Sequence, residues 1–147
     1  MKTGLLVAII FLTFAGFRVS TQTPAVAFNS KTIQMKQYSL LVRVPITYST
    51  EQAKEVGPEW EGLIEKWKTE RVYVLSFAFP GEGFTVSGPE KVVKKEYTLS
   101  GALRVVSNIV VQAETIEQAI EHAKECPILV HGGSVEVREI PNPLIPK

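Results

Sequence analysis

With 147 residues, 45% of them hydrophobic and 21% charged, the chain has the composition of one globular domain, and its net charge of +1, without clustered Lys or Arg, argues against nucleic acid as a partner. Cys126 is the only cysteine and aspartate is absent, which rules out an intrachain disulfide and removes many acid/base and metal constellations. Stability has to come from packing or from a second subunit.

Lys2 precedes an uncharged apolar run over residues 5–17, and the small-x-small triplet Ala25-Val26-Ala27 follows a polar stretch. That order predicts a secretory signal over residues 1–27 cut before Phe28, with Thr13-Phe14-Ala15 offering an earlier cut. An uncleaved anchor or a buried core helix are the alternatives, although the run is shorter than the roughly 20 apolar residues that span a bilayer. No cysteine follows the run to carry a lipid. The expectation is an exported protein, periplasmic or extracellular, with a linker over residues 28–36 and no stable membrane span after signal cleavage.

Residues 38–44 alternate, with Tyr38, Leu40, Val42 and Val44 on one side and Ser39, Leu41 and Arg43 on the other, which predicts a first strand. Beyond Pro45, Ser49 and Thr50 suit the cap of a short helical turn. Pro58 suits the first position of a longer helix starting after Gly57, with Trp60, Leu63, Ile64 and Trp67 as its apolar stripe. Residues 71–79 read as a second strand closed by Pro80-Gly81, and residues 84–87 and 91–94 as a small hairpin. Residues 103–113 read as a central strand. Thr115 and Gln118 form a capping box for a helix with Ile116, Ala119, Ile120 and Ala123 on its apolar side, stopped by Pro127. Residues 134–140 read as the last strand, and Pro141, Pro143 and Pro146 keep residues 141–147 out of any sheet.

This order is β-α-β-β-α-β, which predicts an α+β domain of ferredoxin-like, split βαβ type: an antiparallel sheet with both helices on one face. The other face then carries apolar positions such as Leu41 and Val105 or Val106 with no helix to cover them. A homodimer joined through that face is the expected partner arrangement.

The segment Glu121-His122-Ala123-Lys124-Glu125-Cys126-Pro127-Ile128-Leu129, followed by Gly132-Gly133-Ser134-Val135-Glu136-Val137-Arg138, resembles the ending of the YCII-related family, in the branch named for its DGPF motif. Leu40-Leu41-Val42-Arg43, residues 60–67 and Val86-Ser87-Gly88 match it more loosely, so the resemblance runs from about Met35 to Ile140 and implies a domain over residues 37–140. It implies a dimeric α/β barrel of ferredoxin-like subunits with a pocket between sheet and helices, and for some relatives a proposed His-Asp dyad. The DGPF positions fall on Lys95, Glu96, Tyr97 and Thr98, so the motif aspartate is replaced by a lysine. The glycine pair that usually follows becomes Val106 and Ser107, and the first long helix holds no histidine. The dyad cannot be carried over.

His122 and Cys126 stand four residues apart, as metal ligands on a helix do, but two ligands make no site and a solvated histidine is the simpler reading. His131 lies in the connection before Gly132-Gly133, where a pocket mouth or plain solvent could receive it. Arg43, Glu136 and Arg138 alternate on the first and last strands, so they could share one sheet face, either binding an anion or pairing among themselves. Trp60, Trp67, Phe77 and Tyr97 could line a pocket for a planar ligand or belong to the core. Gly81-Glu82-Gly83 lacks the rest of a nucleotide loop, and no Gly-x-Ser-x-Gly elbow exists. The ligand-pocket candidates are therefore Arg43, Trp60, Tyr97, His131, Glu136 and Arg138, with no metal and no cofactor expected. Two functions follow: a catalytically diverged dimer that binds a small molecule or a partner, or a lyase or isomerase acting on a small organic acid or hydroxylated ring, with Glu96, Tyr97 or Glu136 moving the proton.

Overall fold

The computed structural model describes residues 34–141. The expected signal, most of the linker and the end of the proline-rich tail lie outside the described residues.

Strand β1, Lys36–Pro45, buries every second side chain: Tyr38, Leu40, Val42 and Val44 are at most 1% exposed. It is flanked on one side by β7, Ser134–Ile140, and on the other by β6, Leu103–Ala113, which in turn pairs with β2, Tyr73–Ala78. The short β5, Leu99–Ser100, pairs with the start of β6. All these pairings are antiparallel, and the path β2-β6-β1-β7 is compatible with a ferredoxin-like split βαβ order. Strands β3, Gly83–Ser87, and β4, Val92–Glu96, form a separate hairpin. The described residues thus form an α+β fold, with antiparallel sheets and two α-helices.

Helix α1 differs from expectation in where it begins. It is one helix, Thr50–Thr69, with Pro58 inside it. Ser49 caps it: the Gln52 N–H donates to the Ser49 hydroxyl at 3.2 Å, and the Ser49 N–H donates to the Gln52 side chain at 2.9 Å. That box and the burial of Val56 anchor the first turns, outweighing a proline that costs a helix interior about 3 kcal/mol. The helix closes with Arg71 at φ 59° and with bonds from the Arg71 and Val72 N–H groups to the carbonyls of Lys68 and Trp67, a Schellman ending without its usual glycine. Helix α2, Ile116–Lys124, starts as expected at Thr115, but Gln118 reaches the N–H of Glu114 instead of that of Thr115.

Between α2 and β7, where the sequence predicts only a connection, the chain makes a 3-10 helix, Pro127–His131. Gly132 ends it at φ +74°, and a Cβ on Gly133 would stand 2.6 Å from the carbonyl oxygen of Arg43. The glycine pair therefore serves a left-handed turn and a close backbone approach.

Both helices pack on the sheet face that carries Tyr38, Leu40, Val42 and Val44, joined in the core by Trp67, Ile109, Val111, Ala119, Ala123 and Ile128. Each large side chain so buried is worth about 1.5–3 kcal/mol. The opposite face presents Ser39, Leu41 and Arg43, with Asn108, Glu136 and Arg138 across from them. Its Leu41 and Val105 are half-buried and Val110 is buried, while Ser39 donates to the Asn108 side chain at 2.6 Å. No described helix is long and apolar enough to cross a membrane.

Candidate functional site

Strand β6 carries one residue more than β1 opposite it. Val42 faces Ser107 but Arg43 faces Val105, which makes Val106 the bulged residue. Because side chains alternate along a strand, one extra residue exchanges the faces of everything beyond it. Counting by twos from Val111 and Ile109 would send Arg104 away from the helices. The bulge instead sets it across from Val44, on the helix face.

On that face the sheet, α1 and the 3-10 helix surround a cavity of about 610 Å³. Val42, Val44, Ser107 and Ile109 line it from the sheet, and Ala53, Trp60 and Ile64 from α1. Tyr48, Ser49 and Thr50 contribute at the entry to the helix, Ile128 at the 3-10 helix, and the partly exposed Phe79 and Tyr97 at the edge. The size falls within the range of small-molecule pockets.

Arg104 is the cation of this lining. Its Nη2 donates to the Tyr48 carbonyl at 2.7 Å, and its guanidinium carbon stands 5.3 Å from the centre of the Tyr97 ring. Its Nε is buried and donates to nothing, and no carboxylate pairs with it among the described residues. The Tyr48 ring meets His131 edge-on with centroids 6.1 Å apart. Burial first, then the charges of Glu55 and Glu59, push the Tyr48 hydroxyl above its ordinary value, so it stays protonated at neutral pH. Those two glutamates are exposed on α1 and do not line the cavity.

The residues singled out from the sequence do not gather in one place. Trp60 and Tyr97 line the cavity; Phe77 borders it, although the register sets Phe77 on the opposite sheet face with its side chain half exposed. Trp67 is core, fully buried. His131 stands behind Tyr48, outside the lining. Arg43, Glu136 and Arg138 come together on the opposite face, where Arg43 Nη2 and Arg138 Nε donate to the two carboxylate oxygens of Glu136. Of the four degenerate motif positions, Lys95 and Glu96 are exposed on the hairpin, Lys95 with Glu82 at 3.7 Å, and Thr98 accepts from the Val105 N–H. Only Tyr97 reaches the cavity.

His122 is half-buried instead of solvated, its ring edge-on to Trp67 at 6.0 Å. Cys126 is buried, and burial, followed by the charge of Glu125, pushes its thiol up to about 12, which leaves it neutral and a poor nucleophile. The described residues hold no group of three or more His, Cys or carboxylate side chains able to bind a metal. Sequence reasoning missed Arg104, Tyr48, Ser76 and Ser107. The signal for Arg104 was its charge, alone within the otherwise uncharged run of residues 103–113.

No protein-family model matches the chain, and no curated protein matches it.

Proposed function

We propose that the chain is a catalytically diverged, YCII-like domain that binds a small molecule in the cavity between its sheet and α1. One observation carries the reading: no carboxylate and no histidine is found among the described residues that line the cavity, which offers tyrosine and serine hydroxyls, aromatic rings and one arginine. A lyase or isomerase needs a group there that takes and returns a proton near neutral pH. Glu96 and Glu136, the carboxylates named for that role, belong to the hairpin and to the opposite sheet face, the cavity's Tyr48 is held protonated, and Tyr97, the third group named, lines the cavity with its ring against the Arg104 guanidinium.

The proposal extends to an exported homodimer. Export rests on the charge, apolar run and small-residue triplet of residues 1–27. The dimer rests on Leu41, Leu75, Phe77 and Val105, apolar residues on the sheet face over which neither described helix lies. Native mass spectrometry of the secreted protein, mixed with a library of small organic acids and amides, tests these parts together. The expected spectrum shows a dimer whose subunit begins at Phe28 and which gains one small molecule per subunit. A monomer retaining Met1, or turnover of a ring or lactone substrate in place of retention, contradicts the corresponding part.

A further inference from the structure

We infer that Arg104 is the anion anchor of the cavity and that the ligand is a small planar molecule carrying one carboxylate. The inference deepens the binding reading and rests on it. A guanidinium is charged at every physiological pH, and a charge held in a half-buried site is costly unless an opposite charge meets it. Arg104 is half-buried, yet its two contacts within the fold are a neutral carbonyl and a ring face. Both orient the group without neutralising it.

Arg43 shows what the same chain does with an arginine that is structural. On the other face of the sheet Arg43 is joined to Glu136. Arg104 has no such partner, and the space in front of it is the cavity. A carboxylate brought by a ligand would meet the guanidinium at its outer Nη groups, which carry hydrogens beyond the one given to Tyr48, in the parallel hydrogen bonds guanidinium favours.

The rest of the lining sets the class. Arg104 is its one cation among the described residues, which matches one negative charge and not the two of a phosphate monoester. Trp60 and Tyr97 offer flat apolar surface, and Ser76 and Ser107 give hydroxyls for a polar substituent.

The test is calorimetric titration of the full chain with 2-naphthoate and with 2-naphthamide, the same ring bearing an uncharged group. Wild-type protein is expected to bind the acid at least about tenfold more tightly than the amide, since hydrogen bonds between a guanidinium and a charged acceptor are stronger than those to a neutral one. Arg104→Gln is expected to abolish the preference, so that the acid and the amide bind alike. Equal wild-type affinities for the two probes would overturn the anchor and leave the cavity as a neutral binding site. A preference for the acid that survives in Arg104→Gln would overturn it too. Binding of neither probe would remove the anchor and the binding reading together. The wild-type comparison decides even where Arg104→Gln fails to fold.

Discussion

Arg43 and Arg104 occupy neighbouring strands of one sheet, and the fold treats them oppositely. Arg43 lies on the face away from the helices, its side chain 15% exposed, bonded to Glu136, which Arg138 also holds. Arg104 lies on the helix face, bonded to a carbonyl, stacked on a tyrosine and facing a cavity. An arginine with a carboxylate is a means of joining strands β1 and β7. One beside a cavity without a carboxylate is what the proposed anion anchor requires. The contrast predicts that removing charge will hurt the fold on one face and ligand recognition on the other.

The largest stability effect is expected from Glu136→Ala. It leaves Arg43 and Arg138 side by side with no counter-charge, and the Arg43 Nε is already a buried donor without a partner. Breaking a fully buried pair costs about 3–5 kcal/mol, and the remaining solvent access here lowers the expected loss to about 2 kcal/mol. Urea denaturation measures it. A loss below about 0.5 kcal/mol would mean that the set is an ordinary surface ion pair, and the contrast between the two arginines would lose its structural half.

Arg104→Met is expected to change stability by less than about 1 kcal/mol, the hydrogen bond lost to Tyr48 being offset by relief of an uncompensated charge. The same denaturation curves decide it. A loss as large as that of Glu136→Ala would make Arg104 a structural residue that props Tyr48, with no charge to spare for a ligand.

The two arginines also differ in how readable they were. Arg43 follows the strict alternation of β1, so its face and its nearness to Glu136 and Arg138 could be read from the sequence once the first and last strands were paired. Arg104 could not. Its face depends on the bulge at Val106, and a bulge is a property of two strands in register that neither strand's pattern reveals alone. The main strands and α2 were legible because period-2 and period-3.6 patterns, with Thr115 and Pro127 as punctuation, spelled them out. The start of α1 was not legible at Pro58, because a proline marks a first helical position only where nothing upstream caps the helix, and the Ser49–Gln52 box sets the start at Thr50. The aromatic set was divided by placement: Trp60 and Trp67 share the helical stripe, yet one lines the cavity and the other is sealed in the core.

The smallest effect is expected at Lys95, where the resemblance to the DGPF branch puts the motif aspartate. Lys95 is exposed on β4, across from Phe84, and its nearest opposite charge is Glu82 at 3.7 Å. Lys95→Asp would set a carboxylate against Glu82 and beside Glu96, in water that screens them, and exposed substitutions of this kind change stability by no more than about 0.5 kcal/mol. The residue does not line the cavity, so neither face of the Arg43–Arg104 comparison should respond to it. The variant is expected to melt like the wild type, to keep the same affinity for 2-naphthoate, and to yield no turnover of ring or lactone substrates. Turnover appearing in Lys95→Asp would mean that the hairpin closes over the cavity and brings position 95 to the ligand; Arg104 would then orient a substrate for that restored acid, and the diverged-binder reading would give way to an enzyme disabled at one residue.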